Sequence, residues 1–349
     1  MVWRGRRRTR EGKEARVIVP STFAVALLCA LLSMVCWGSW ANTLKLTGKW
    51  RFELYYFDYT FGVALVAVVA AFTVGSMGDG LSVTDNLLIT GKMKELIAVT
   101  SGGVFNLANL LLVAAITLAG MSVAFPIGIG LALVIGVIWS YMLNPQSNPA
   151  LLFGGVAFVL AAIVVSARAH ALHSKELNKG RSGKKGIVLS LISGVLMGSF
   201  YPLVEMSKQG DDGLGPYAVA LLFAVGVFLS TFVYSVYFMR LPMEGRSLKP
   251  HHYFRGTLGQ HLLGLAGGAI WCIGAIASFA AASAPKQIQL GPAASYALGQ
   301  GATLVSVLWG LLLWKEFAGA AANVRRIMWV MFALFAAGLT LVSIAPLYS

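Results

Sequence analysis

Three asparagines set in apolar surroundings, Asn42, Asn106 and Asn109, are the first residues of this sequence that could do chemistry. A side-chain amide offers donor and acceptor together, which suits a neutral, hydrogen-bonding solute. Asn106 and Asn109 stand three residues apart and so share a helix face. Polar groups within a long apolar run are expensive and mark solute pathways, although a hydrogen bond between helices would use them equally well. Trp37, Trp40, Phe200, Tyr201 and Trp271 supply flat walls for a ring, or else core packing and interfacial anchoring. Trp40 and Phe200 close two similar stretches, Trp37-Gly38-Ser39-Trp40 and Met197-Gly198-Ser199-Phe200, which favours the site reading for that pair. Asp58 and Glu205 are the candidates for proton coupling, because a carboxyl withdrawn from water can load and release a proton. Both stand near the end of an apolar run, where a solvated or ion-paired acid is also ordinary.

Other chemistries find no support. The apolar runs hold no Ser/His/Asp set, no HExxH and no paired acids, so no catalytic residue is assigned and an enzyme is not expected. Cys29, Cys36 and Cys272 fall inside apolar runs without metal-ligand spacing, so packing is their expected role and no metal or cofactor is expected. The stretch Gly180-Arg181-Ser182-Gly183-Lys184-Lys185 fails the spacing of a phosphate loop and reads as a solvated basic linker. His170 and His173 read as residues of the same central loop. The formal charge of +14 sits in the N-terminal tail and in loops, where it meets lipid headgroups and not nucleic acid.

The elements that must position these residues are membrane helices. The chain has 349 residues, 58% hydrophobic and 11% charged, against about 25% charged for a soluble domain. No Asp, Glu, Lys or Arg occurs from Leu96 to Ala167. Ten spans fit the hydropathy: Ser21–Leu44, Tyr55–Ser76, Leu96–Leu118, Met121–Leu143, Ala150–Arg168, Gly186–Met206, Tyr217–Phe238, Leu258–Ala282, Leu290–Trp314 and Ile327–Leu347. The runs are continuously apolar, without the alternation a lipid-facing barrel needs. The basic tail before the first run resembles a signal peptide, but the run is long enough to span and is read as an uncleaved helix.

The two similar stretches lie five apolar segments apart, so the second would enter the membrane the other way up. Gly102-Gly103 returns as Gly267-Gly268, Val137-Ile138-Trp139 as Val307-Leu308-Trp309, and Val156-Ala157-Phe158 as Val330-Met331-Phe332. The expected organisation is a basic tail at 1–20, a five-helix repeat at 21–168, a basic central loop at 169–185 and a second, inverted five-helix repeat at 186–349. Basic residues after spans one, five, seven and nine outnumber those opposite, which puts the termini outside and the central loop in the cytoplasm. The basic tail argues the other way.

Trp37-Gly-Ser-Trp-Ala-Asn42, Tyr56-Phe-Asp-Tyr-Thr60 with the apolar run to Thr73-Val-Gly-Ser76, and Gly120-Met-Ser-Val-Ala-Phe-Pro-Ile127 resemble the ureide permease group. That group is similar to the glucose/ribose and rhamnose porters of the drug/metabolite transporter superfamily. The resemblance implies an all-α integral protein of the inner or cell membrane, with ten helices in two inverted five-helix repeats. It implies secondary active transport, often proton-coupled, of heterocycles such as allantoin and uracil or of sugars. Plant members carry a nucleotide-loop-like motif in the central loop, and this chain departs from it. The expected function is therefore alternating access, by rocking of the repeats, for a small neutral polar metabolite held between spans one, three, six and eight. Its partners would be that solute, the bilayer and, where coupling operates, protons; the sequence leaves the oligomeric state open. The alternatives are a drug or metabolite exporter and a non-transporting receptor or assembly subunit.

Overall fold

The computed structural model describes residues 19–77, 81–119, 121–176, 184–240, 246–285, 288 and 290–348. The basic tail, the centre of the linker between residues 176 and 184, Lys286 and Gln287 lie outside them. The described chain is all-helical, with elements α1 (Phe23–Ser39), α2 (Ala41–Leu46), α3 (Phe52–Phe72), α4 (Val83–Ile89), α5 (Lys92–Ala119), α6 (Met121–Leu143) and α7 (Pro149–Glu176) in its first half. The second half contains α8 (Lys184–Lys208), α9 (Pro216–Arg240), α10 (Leu258–Ala281), α11 (Pro292–Gln300), α12 (Ala302–Leu312) and α13 (Ala322–Ile344), with a 3-10 turn at Pro250–Arg255. Among the described residues nine helices are long and apolar enough to cross a membrane, and Ile127–Leu143 is a shorter apolar helix. They define an integral membrane protein.

Local signals set several of the ends. Thr22 caps α1 by accepting from the Val25 N–H at 3.3 Å. Thr257 and Gln260 form a reciprocal capping box at the start of α10. Pro292, which needs no N–H partner in a first turn, opens α11. Two expected spans are interrupted: α1 gives way to α2 at Trp40, and α11 to α12 at Gly301.

The central loop is shorter than the expected 169–185. Helix α7 runs on to Glu176 because Ala169 and Leu172 continue its apolar face onto Phe317, Val324 and Met328, while Lys184 and Lys185 already belong to α8. His170 and His173 are therefore helical residues and not loop residues. Their rings stand 4.8 and 5.3 Å from that of Phe317.

Helix α8 packs on α5 and α6, and α1 packs on α10 and α12. Helix α5 also meets α9, and α10 meets α3; α3 meets α9, α6 meets α11, and α7 meets α13. The closest contacts run through glycines that let backbones touch. A Cβ on Gly38 would lie 2.5 Å from Val305 Cβ and 2.6 Å from the Ala302 carbonyl oxygen; on Gly198, 2.8 Å from Ile135 Cβ and 3.0 Å from the Ala132 oxygen. A Cβ on Gly102 would lie 2.0 Å from the Phe223 oxygen and 3.0 Å from the Val227 nitrogen; on Gly268, 1.8 Å from the Tyr59 oxygen and 2.9 Å from the Val63 nitrogen. Gly155 and Gly338 face each other across α7 and α13.

Candidate functional site

A cavity of about 370 Å³ lies within the bundle. At about 30 Å³ per water it has room for roughly a dozen waters, or one small metabolite. Helices α1, α2, α5, α6, α7, α8, α10, α11 and α12 all contribute to its wall. Six of the eight expected binding residues line it: Trp37, Trp40, Asn42, Asn109, Phe200 and Trp271.

Its inner end is an aromatic floor. The rings of Phe105 and Trp271 are 4.3 Å apart, and those of Phe105 and Phe200 are 5.2 Å apart. Behind them Phe223 stacks on Trp271 at 5.7 Å, and Tyr201 lies 4.9 Å from Tyr296. Trp37 lies nearly parallel to Trp271, with centroids 5.9 Å apart and 14° between planes. Its ring slides edgewise into a slot between two glycines: a Cβ on Gly274 would come within 2.9 Å of Trp37 Cδ1, and one on Gly299 within 2.6 Å of Cζ3. The indole N–H is buried with no hydrogen-bond partner among the described residues.

Charge appears only at the opposite end among the lining residues, where Lys45 donates to Glu316. The Lys45 ammonium also sits 5.2 Å over the Trp314 ring. Further links tie α1 and α2 to α12 and its C-terminal flank: Ser306 Oγ donates to the Gly38 carbonyl at 3.0 Å, Trp309 Nε1 to Ser39 Oγ at 2.8 Å, and Trp314 Nε1 to Asn42 Oδ1 at 2.6 Å. Asn42 Nδ2 donates to the Ser39 carbonyl at 2.9 Å, so both ends of that amide are engaged. Asn109 donates to Tyr56 Oη at 3.2 Å.

The other expected residues lie elsewhere. Asn106 points away from the cavity, donating to the Val227 carbonyl (3.2 Å), Ser230 Oγ (2.7 Å) and Thr231 Oγ1 (3.0 Å) on α9. The face it shares with Asn109 in sequence is divided between a neighbouring helix and the cavity. Tyr201 is fully buried behind the floor, its hydroxyl 3.1 Å from Ser278 Oγ. Asp58 is buried where α3 meets α10; it accepts from Tyr253 Oη and lies 2.8 Å from His261 Nδ1. Outside the helices, burial and the Asp58 carboxyl hold the Tyr253 hydroxyl protonated well above the usual tyrosine range. Glu205 is buried against Lys208 at 2.8 Å. Neither acid lines the cavity.

Gln300, Phe105, Ser166 and Thr303 also line the cavity, beyond the residues the sequence points to. The available signal for Gln300 was an amide between Gly299 and Gly301 in an otherwise apolar run. Phe105, one residue before Asn106, offered none.

Long apolar helices around a cavity with an aromatic cluster at one end and an ion pair at the other form the architecture of a membrane permease. Comparison with known proteins agrees. Residues 55–182 match the model of the family described as Ureide permease, a stretch that includes Asp58, Asn106 and Asn109. The chain is similar to Ureide permease 4 of Arabidopsis thaliana, 23% identical over 91% of this chain and 96% of that one. It is 30% identical to Ureide permease 3 of the same plant over 46% of this chain and 48% of that one. It is 31% identical to the probable ureide permease A3 of Vigna unguiculata over 40% and 39%. A solved crystal structure shares the fold with a TM-score of 0.58 and 18% identity, over 91% of this chain and 96% of that one. The relatives bear the name permease, the last of them as a probable one.

Proposed function

We propose that this protein is a secondary transporter of small, neutral, ureide-class solutes, working by alternating access around the described cavity. The observation that carries the reading is the lining: an apolar wall that includes five aromatic planes (Trp37, Trp40, Phe105, Phe200 and Trp271) and three amides (Asn42, Asn109 and Gln300), with the charged pair Lys45–Glu316 neutralising itself at the rim. A charged solute would find no counter-ion inside, whereas a flat amide-bearing ring would find stacking surfaces at Trp37 and Trp271 and hydrogen-bonding groups at Asn109. Asn42, Trp40 and Phe200 complete the wall, Tyr201 backs the floor, and Asn106 holds α5 to α9. The names of the similar permeases bring ureides to the front of the neutral solutes.

The reading includes ten spans in two inverted halves, at 21–168 and 186–349. Its support is the recurrence of contacts: Gly38 on Ala302 and Val305 mirrors Gly198 on Ala132 and Ile135, and Gly102 on Phe223 mirrors Gly268 on Tyr59, one residue on from the Gly267 that matches Gly102 in sequence. The cavity opens by its Lys45–Glu316 rim toward the face that carries the more basic loops, which the reading makes cytoplasmic. The aromatic cluster of Phe105, Phe200, Phe223 and Trp271 is then the seal on the far side. A proton on Asp58 or Glu205 would act on helix packing and not on the solute directly.

The test is uptake into proteoliposomes of labelled allantoin, uracil, glucose and rhamnose, with and without an imposed pH gradient. The expected result is accumulation of allantoin or uracil, collapsing with the gradient if coupling runs through protons. Loss of gradient dependence with retained exchange in Asp58→Asn would assign the coupling to that acid. Sugar uptake alone would move the substrate class, and no flux in folded protein would return exporter or receptor roles to the front.

A further inference from the structure

Within the cavity just proposed to carry ureides, and resting on that proposal, we infer that Gln300 is the residue that selects the solute's paired N–H and C=O edge. Gln300 is the last residue of α11, at the break before α12. Both of its chain neighbours are pressed against α1. A Cβ on Gly299 would meet the Trp37 ring at 2.6 Å, and one on Gly301 would meet Met34 Sδ at 2.7 Å. The side chain therefore leaves from backbone packed closely on α1, beside the indole wall on which a ring would lie. That is the rigidity a selective group needs.

The chemistry points the same way. Gln300 is 8% exposed and lines the cavity, yet its amide makes no hydrogen bond with another described residue. The residue as a whole is buried while its amide is reached from the cavity, so the partner of that amide is whatever occupies the cavity, water or solute. The neighbouring polar groups are partly spent: Asn42 on Ser39 and Trp314, Asn109 on Tyr56, Ser306 on Gly38. Gln300 brings an uncommitted carbonyl and an uncommitted NH₂ in one plane. A cyclic ureide or pyrimidinedione presents the complement, N–H beside C=O in the plane of its ring. Two in-plane hydrogen bonds then fix the ring while Trp37 supports its face. A sugar hydroxyl offers no such fixed plane, and N-methylation of the ring removes the donor.

The experiment uses the full chain in proteoliposomes, with uracil and 1,3-dimethyluracil as probes and tryptophan quenching as the binding readout. Wild type is expected to prefer uracil. Gln300→Met, similar in volume without the amide, is expected to weaken uracil about ten- to a hundredfold and leave dimethyluracil unchanged, so that the preference collapses. Gln300→Asn, with the amide withdrawn by one methylene, is expected to fall between them and serves where the methionine variant does not fold. A preference that survives in Gln300→Met, or in Gln300→Asn where that variant stands in, with wild type binding uracil, overturns the assignment of Gln300 alone. Wild type that neither binds nor carries any ureide overturns the transport reading and this inference with it.

Discussion

Gly102 and Gly103 stand side by side on α5 and face different surroundings, which makes them a controlled pair. A Cβ on Gly102 would lie 2.0 Å from the Phe223 carbonyl oxygen, 2.9 Å from its carbon and 3.0 Å from the Val227 nitrogen, all backbone. A Cβ on Gly103 would find its nearest neighbour, Ser230 Cβ, at 3.9 Å. Ordinary contact begins near 3.4 Å, so Gly102→Ala must part α5 from α9 by more than an ångström. No side chain can rotate away to absorb that, and the Cα–H contacts with the Phe223 carbonyl are lost as well. Overpacking of this kind costs about 1–3 kcal/mol, and a purely backbone clash belongs at the upper end. Gly103→Ala asks for no movement and gains up to about 1 kcal/mol of helix propensity. The assay is thermal unfolding of the purified protein in one detergent, followed by size-exclusion of the heated samples. Gly102→Ala should lose several degrees and Gly103→Ala none. Gly268→Ala, which meets the Tyr59 oxygen at 1.8 Å, should behave as Gly102→Ala does. Equal melting of Gly102→Ala and Gly103→Ala would refute the reasoning.

Gly299→Ala should push Trp37 out of its slot and weaken ureide binding by about tenfold, the equivalent of 1.4 kcal/mol, while Gly154→Ala, with open space around it, should not; tryptophan quenching by uracil compares the two. Asp58→Asn and His261→Gln should each lower stability by about 2–3 kcal/mol, and the double variant by little more than one of them, because each single change leaves a partner unpaired; additive losses in a double-mutant cycle would break the pairing argument. At the other face Lys94 donates to Asp212 and to the Gln209 carbonyl, and holds the Asp212 carboxyl below the usual range. A carboxyl lowered on folding adds stability that is present above its unfolded value near about 4 and is lost as pH falls through the lower folded one. Slower amide exchange over Gly210–Gly215 in wild type than in Lys94→Met is therefore expected at neutral pH and should shrink in acid, where only the Lys94 bond to the Gln209 carbonyl remains; a difference that does not shrink would refute it.

The membrane helices were legible because apolar length is a local property. What sequence could not supply was the neighbour on each helix face. Asn106 and Asn109 look equivalent three residues apart, and only the approach of α9 separates them. Asp58 owes its surroundings to Tyr253 and His261, far along the chain and on other elements. The two histidines of α7 looked like loop residues because the basic run after them dominates the local composition. Gln300 has no partner motif in the sequence, and a lone glutamine in a run of small residues gains meaning only from the helix break beside it.

The stitching of α1 and α2 to α12 and its flank, through Ser306, Trp309, Trp314 and the Lys45–Glu316 pair, has a mechanical corollary. Helices from opposite ends of the chain are fastened into one body, and α5, α6 and α8 are fastened into another by the Gly128–Gly194 and Gly198–Ile135 contacts and by the Ser193 hydrogen bond to the Ala108 carbonyl. Each set draws helices from both halves of the chain, so a cut in the linker after Glu176 would pass through both, and two separately expressed fragments should still find each other in the membrane through these contacts.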